Sequence, residues 1–346
     1  MQSEKDLNHT LKTKSNKIGI TIGDCNGIGP EIIIRTLKDP GFSEDNPIII
    51  YGESSVITHY MKILDHKDFH FQVINNATEA LPKRINLINC LNGDAEVEPG
   101  IPSDFSGSLS LMALEKAGAD ICSGQISAVV TAPVSKSNLK NQGFRYPGQT
   151  EYFASLDPNS KPLMILVSDQ LKIGLVTGHI PVKMIAKECT IDRVREKLDT
   201  MIKTLQMDFE VDKPKIAVMG LNPHAGEFGS IGTEELDWME GLIKEYKGSG
   251  SFIFGPMPSD GLFGSGNYKK FDAILGMYHD QGLIPFKTLA FDEGVNFTAG
   301  LKFIRTSPDH GTAFDLAGKG SASISSFRAS LHLAIDLLSR RPTNIQ

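Results

Sequence analysis

The chain has 346 residues, 40 % of them apolar and 22 % charged, with 33 glycines and a formal net charge of −6. That length allows two domains of ordinary size, and the composition is that of a globular α/β protein, which excludes disordered and fibrous classes. The negative balance argues against general binding to nucleic acid or to anionic membranes, while leaving room for a local basic pocket.

Residues 1–16 are polar and hold no apolar segment of a secretory signal, so a short, poorly ordered tail is expected there. No apolar run approaches the ~20 residues that span a bilayer. Cys25, Cys90, Cys122 and Cys189 are scattered, with no C-x-x-C pair. This fits reduced thiols in a cytoplasmic protein better than a disulfide frame or a thiolate zinc site.

Residues 17–23 (KIGITIG) are rich in β-branched residues and break at Gly-Asp, which predicts a first strand. A glycine-rich loop follows at 24–29 (DCNGIG), and Pro30 stands in the first turn of a helix. Such a turn either binds an anion or packs closely, and its G-x3-G-x-G spacing is not the dinucleotide fingerprint G-x-G-x-x-G. Residues 47–52, 69–74 and 85–90 predict further strands. Leu111, Leu114, Gly118 and Ile121 share one face of a helix over 107–122. Residues 127–133 (SAVVTAP) read as a buried parallel strand, followed beyond Lys136 by a helix-breaking region. A turn at 146–151 enters a new helix, with Thr150 available as a capping residue near its start.

Three later apolar runs share one feature. Residues 172–178 lead to His179, 215–223 to His224, and 273–278 to His279. Ligands gather at the C-terminal ends of parallel strands, so three histidines in that position predict a three-histidine metal site. Each one alone would more simply be structural or a surface residue, and no local motif such as H-E-x-x-H links them. Neutral imidazole suits zinc, cobalt, nickel or iron, and three protein ligands leave a position open for substrate. Helices are predicted over 192–206 and 233–246, the second with acid in its first turn. From about residue 321, Phe327, Leu331, Ala334, Ile335 and Leu338 form an amphipathic stripe. The alternation argues for an α/β fold of parallel sheets covered on both faces.

Residues 276–320 concentrate the polar chemistry. His279 and Asp280 stand at a strand end, and Lys287 and Arg305 bring fixed positive charge that suits an anionic substrate. Gly311, Gly318 and Gly320 let the backbone approach a ligand.

Six blocks then carry a resemblance. They are 23–32 (GDCNGIGPEI), 131–136 (TAPVSK), 148–151 (GQTE), 220–227 (GLNPHAGE), 277–282 (MYHDQG) and 303–312 (FIRTSPDHGT). In order, and over nearly all of 17–340, they resemble the 4-hydroxythreonine-4-phosphate dehydrogenase (PdxA) family of coenzyme B6 synthesis. Residues 310–320 also resemble the cofactor loop of isocitrate and isopropylmalate dehydrogenases, which hold a nicotinamide dinucleotide without the usual fingerprint.

The resemblance implies two α/β/α domains with largely parallel sheets around a central cleft. The first is 1–145, completed by 301–346, and the second is 146–300. It implies His179, His224 and His279 as ligands of a divalent metal such as zinc, magnesium or cobalt. Gln149, Thr150, Lys287, Asn296 and Arg305 match substrate positions, and His310, Gly311, Thr312 and Gly318 fall at the NAD or NADP loop. A cytoplasmic homodimer is implied, with the site at the subunit interface and the metal held by histidines of both chains. Nucleic-acid and membrane partners are not expected.

The implied reaction is NAD-dependent oxidation of 4-phosphohydroxy-L-threonine to a β-keto acid that decarboxylates to 3-amino-2-oxopropyl phosphate. Asp280, beside a metal ligand, is a candidate orienter or base; Asp260 is another, or an ordinary turn aspartate; Lys287 is the third catalytic candidate. Gln149 stands where the family usually has histidine, and Gln hydrogen-bonds without carrying a proton or charge. That departure keeps a phosphorylated sugar acid, 4-phosphothreonate or 4-phosphoerythronate, as an alternative substrate. A metal-binding sensor of a phosphorylated ligand, without turnover, is the alternative from another class.

Overall fold

The computed structural model describes residues 15–91 and 96–341. The tail expected at the N-terminus lies, up to residue 14, outside them. The strands are β1 (Ile18–Thr21), β2 (Ile48–Gly52), β3 (Gln72–Ile74), β4 (Ile85–Asn89), β5 (Ala128–Thr131) and β6 (Leu163–Val167). They continue with β7 (Lys172–Leu175), β8 (Lys215–Met219), β9 (Phe252–Met257), β10 (Ala273–Gly276), β11 (Val295–Ala299) and β12 (Ile304–Pro308). Hydrogen bonds join them into one sheet in the order β3-β4-β2-β1-β5-β12-β11-β6-β7-β10-β8-β9.

Two parallel groups make up most of this sheet: β3-β4-β2-β1-β5-β12 and β7-β10-β8-β9. Between them β11 runs antiparallel to both β12 and β6, and β6 runs antiparallel to β7. The expectation of purely parallel sheets therefore fails at the centre. The reason is connection length: β6 to β7 and β11 to β12 are joined by turns too short for a parallel crossover.

β1, β2 and β5 are buried along their whole length, as parallel strands are when helices cover both faces. The helix Asp104–Cys122 packs on β1, β2 and β5, and the helix Ser325–Arg340 packs on β5, β12 and β11. In the second of these Phe327, Leu331, Ala334 and Leu338 point inward, with Ile335 half-buried, so the predicted stripe is the packed face. The region after Lys136 is not helix-breaking. A short helix, Lys136–Asn141, forms because the Ser135 hydroxyl accepts from Asn138 N at 3.3 Å. A second, smaller core of Ile173, Leu175, Met219, Ile274 and Phe286 lies under the β7-β10-β8 group. All four cysteines are free. Among the described residues no helix is long and apolar enough to cross a membrane.

Candidate active site

β7, β10 and β8 are neighbours and parallel, so their C-terminal ends share one edge of the sheet. His179, His279 and His224 follow those three ends. His279 opens the helix His279–Ala290 directly after the strand. The His179 and His279 ring centroids are 5.3 Å apart. His279 Nδ1 lies 2.7 Å from Asp280 Oδ1, and because a carboxylate only accepts, the proton belongs on Nδ1 and the Nε2 lone pair is left free. Burial, then Lys136 and His279, hold the His179 imidazole below its usual pKa, which favours the neutral, ligating form.

His224 sits differently. It begins a turn in which every residue from His224 to Phe228 has a left-handed backbone, with φ between 43 and 81°. The buried Glu235 carboxylate anchors this turn by accepting from Asn222 N at 2.8 Å and Asn222 Nδ2 at 2.9 Å. The His224 ring is exposed, with Nδ1 4.0 Å from Asp260 Oδ2. Among the described residues no group of three His, Cys, Asp or Glu comes together to hold a metal. One chain thus brings two of the three predicted ligands together and leaves the third outside.

His179 and His279 line a cavity of about 410 Å³. The five predicted substrate residues, Gln149, Thr150, Lys287, Asn296 and Arg305, line it too, and so do His310 and Gly311. Asp260 and Asp280 do not, and both side chains are largely exposed. Of the three catalytic candidates only Lys287 reaches the cavity, where its Nζ is 3.3 Å from Asp309 Oδ2. Burial pushes the Asp309 carboxyl up, against the pull of Lys287. Thr312 and Gly318 lie off the cavity wall. Thr312 O accepts from Ile28 N at 2.9 Å, and a Cβ on Gly27 would stand 2.8 Å from that oxygen, so the glycine-rich loop packs against the 310–320 segment.

Arg305 lies in β12, which pairs with β5, and it is buried, 3 % exposed. Its Nη1 donates to Thr150 Oγ1 at 3.0 Å and Thr298 Oγ1 at 3.2 Å, and Nη2 donates to Thr131 Oγ1 at 2.8 Å. Thr150 is therefore a partner of the guanidinium and not a helix cap; Gly148 occupies that position without a side-chain bond. No carboxylate lies within ion-pair distance of Arg305 among the described residues. Burial pulls its pKa down to about 10, opposed by Glu151, so it stays charged at neutral pH.

Buried polar side-chain atoms without a partner are concentrated here. Gln149 Oε1, Asn296 Oδ1, Arg305 Nε and His310 Nε2 are four of the seven such atoms among the described residues, and all four residues line the cavity. Each orphan costs on the order of 1–3 kcal/mol, which a ligand offsets by supplying the missing bond. Thr131, Lys136, Glu151 and Asp309 also line the cavity without having been singled out from sequence. The signal was present, since all four fall within the blocks TAPVSK, GQTE and DHGT or directly on them.

A family model described as "Pyridoxal phosphate biosynthetic protein PdxA" matches residues 43–334. The chain is 45 % identical over 326 residues to a 4-hydroxythreonine-4-phosphate dehydrogenase of Bacteroides thetaiotaomicron, covering 94 % of this chain and 89 % of that one. A relative of the same name from Aquifex aeolicus is 41 % identical, with 94 % and 99 % covered. Among solved structures, the Klebsiella pneumoniae 4-hydroxythreonine-4-phosphate dehydrogenase matches with a TM-score of 0.80 at 34 % identity, over 95 % of this chain and 99 % of that one. With nearly the whole chain matched in sequence and in structure, this protein belongs to the PdxA family of pyridoxal phosphate biosynthetic proteins.

Proposed function

We propose that this chain is a dehydrogenase that oxidises 4-phosphohydroxy-L-threonine with NAD or NADP to a β-keto acid, which then decarboxylates to 3-amino-2-oxopropyl phosphate on the way to pyridoxal phosphate. Its relatives are named for this substrate. The observation that carries the reading is Arg305: a buried guanidinium with no ion pair within 4.0 Å among the described residues, on a cavity walled by unpartnered polar atoms. A buried charge of this kind calls for an opposite one, and a phosphorylated amino acid brings it.

In this reading His179 and His279 hold a divalent metal such as zinc, magnesium or cobalt together with the partner subunit's His224. The donor set fits: two neighbouring imidazoles, one pushed toward its neutral form and one with its ring fixed by a carboxylate. When bound, such a metal polarises the carbon–oxygen group being oxidised and lowers the pKa of its hydroxyl. A homodimer is supported by the surface around the histidines. Val182, Phe228 and Ile284 follow His179, His224 and His279 and are 83 %, 93 % and 64 % exposed, three large apolar side chains that a partner subunit would cover.

The chain's own residues do the rest. Arg305 and Lys287 bind the anionic groups, and Thr150 and Asn296 add neutral hydrogen bonds. Asp280, bonded to His279, and Asp260, beside His224, are the two candidates for the base that takes the hydroxyl proton as hydride leaves the carbon. The positive charges of Lys287 and Arg305 also favour the anionic enolate left by loss of carbon dioxide. The dinucleotide would supply a hydride acceptor when bound along His310–Gly318, where there is open space beside Gly311. The chain divides, in this reading, into residues 1–145 with 301–346 and residues 146–300.

The test is the absorbance of reduced nicotinamide with 4-phosphohydroxy-L-threonine, NAD and a divalent metal. Turnover is expected, is abolished by a chelator and returns with added metal. Absence of reduced cofactor with every phosphorylated hydroxy acid tried would leave the sensor as the better reading.

A further inference from the structure

The cavity wall also carries a carboxylate without an ion pair, within electrostatic reach of Arg305 and His179. This is Glu151, in the first turn of the helix Gln149–Ser155. Among the described residues neither a hydrogen bond nor an ion pair within 4.0 Å engages its carboxylate. Lys136 runs nearby: a Cβ on Gly148 would stand 3.1 Å from Glu151 Oε2 and 3.8 Å from Lys136 Cε. Its ammonium nevertheless lies outside ion-pair distance of Glu151. Asp309, the other carboxylate on the wall, is already engaged by Lys287.

Gln149 adds to this wall. Its Nε2 donates to Ala132 O at 3.1 Å, and because a carbonyl only accepts, the amide orientation is fixed. What remains is Oε1, an obligate acceptor, buried and without a partner. The Asn296 side-chain amide, which makes no hydrogen bond among the described residues, adds a second polar group to this wall. The cavity therefore holds a guanidinium without an ion pair, which Glu151 favours only from a distance, beside a half-buried carboxylate and a buried Gln149 carbonyl oxygen that have no protein donor among the described residues. A zwitterion complements such a wall. An ammonium offers three N–H donors and a positive charge, whereas a hydroxyl at the same carbon offers one donor and no charge.

We propose that Glu151, acting with Gln149 Oε1, is the specificity determinant that reads the substrate's amino group and sets 4-phosphohydroxy-L-threonine apart from phosphorylated sugar acids. The inference rests on the dehydrogenase reading and deepens it. A glutamate in a first helical turn also stabilises the helix dipole, a role that would change the melting temperature without changing substrate choice.

The experiment compares kcat/KM for 4-phosphohydroxy-L-threonine with that for 4-phosphothreonate and 4-phosphoerythronate, which carry a hydroxyl in place of the amino group. The unmodified enzyme is expected to prefer the amino substrate by ~100-fold, the scale of losing one partner of an enclosed charge pair. Glu151→Gln is expected to cut that preference at least tenfold, through loss on the amino substrate alone and with little change in melting temperature. Gln149→Leu is expected to shrink the ratio in the same direction, and it carries the test if Glu151→Gln misfolds. Equal use of both substrates by the unmodified enzyme, or variants that lower both rates by one factor, would overturn the assignment while leaving a dehydrogenase. Turnover of neither would overturn the dehydrogenase reading and this inference together.

Discussion

Arg305 is the residue at which burial and charge conflict most plainly. Three threonine hydroxyls solvate its guanidinium, yet none supplies negative charge. A buried cation held only by neutral partners weakens the folded state, and replacing it with an apolar side chain of similar length is often neutral or stabilising. Arg305→Met is therefore expected to melt within a few degrees of the unmodified protein, or above it, because the freed threonine hydroxyls partly offset the gain. Its kcat/KM should fall by about 100-fold or more, the scale for losing a buried charged hydrogen-bonding partner of the ligand. Calorimetry and steady-state kinetics on the one variant measure both. A large drop in stability with activity retained would show Arg305 to be a structural residue. The identity of this group was legible in the sequence as a fixed charge in a polar stretch. Its lack of an ion pair was not, because that depends on which side chains four separate elements bring to the cavity.

Among the elements, the turn that carries His224 is the most strained. Five successive left-handed residues are unusual for L-amino acids, each non-glycine costing on the order of 1–2 kcal/mol. Strain of this kind persists where surrounding contacts over-determine it, here through the two bonds to Glu235. Gly226, at φ +81, is the position that cannot accept a side chain: a Cβ would stand 2.7 Å from Glu235 Oε2. Gly226→Ala is expected to lower stability by ~2 kcal/mol and to lose metal-dependent turnover as His224 shifts. Gly241→Ala is the matched control. That glycine lies in the helix Glu240–Gly248 with open space around it, so the alanine is expected to raise stability by up to ~1 kcal/mol with turnover intact. Denaturant unfolding of both variants checks the pair, and equal effects would remove the special role of the turn.

Which elements the sequence disclosed follows from the same physics. β1, β2, β5 and β10 stand out as apolar runs because they are buried on both faces. β12 (IRTSP) is equally buried but polar, since Arg305 is held by threonines of neighbouring elements and Thr306 Oγ1 donates to Ser330 O, so hydropathy alone hides it. The helix His279–Ala290 contains Gly282 and Pro285, which mask its periodicity.

At the scale of the whole molecule, the βα alternation announced the class of fold, and the three strand-end histidines announced one edge of the sheet. The antiparallel centre was not legible, because β11 and β12 lie in a stretch whose glycines and charges resemble a loop. Nor was it visible from spacing alone that one chain would unite only two of the three imidazoles. The partner subunit's His224 completes the site in the proposed homodimer, and this arrangement has a consequence that a site built within one chain lacks. Homodimers of His224→Ala and of His279→Ala are each expected to be inactive, since every site then lacks one ligand. When the two variants are co-expressed and assort at random, half of the dimers are mixed. In a mixed dimer one site collects both substitutions and the other collects none, so about a quarter of full activity and metal content should return, as two-fold symmetry requires. If all three ligands came from one chain, every site in the mixed dimer would carry one defect and nothing would be restored. Metal content and turnover of the co-expressed pair, set against each parent, therefore decide whether the site belongs to one subunit or to two.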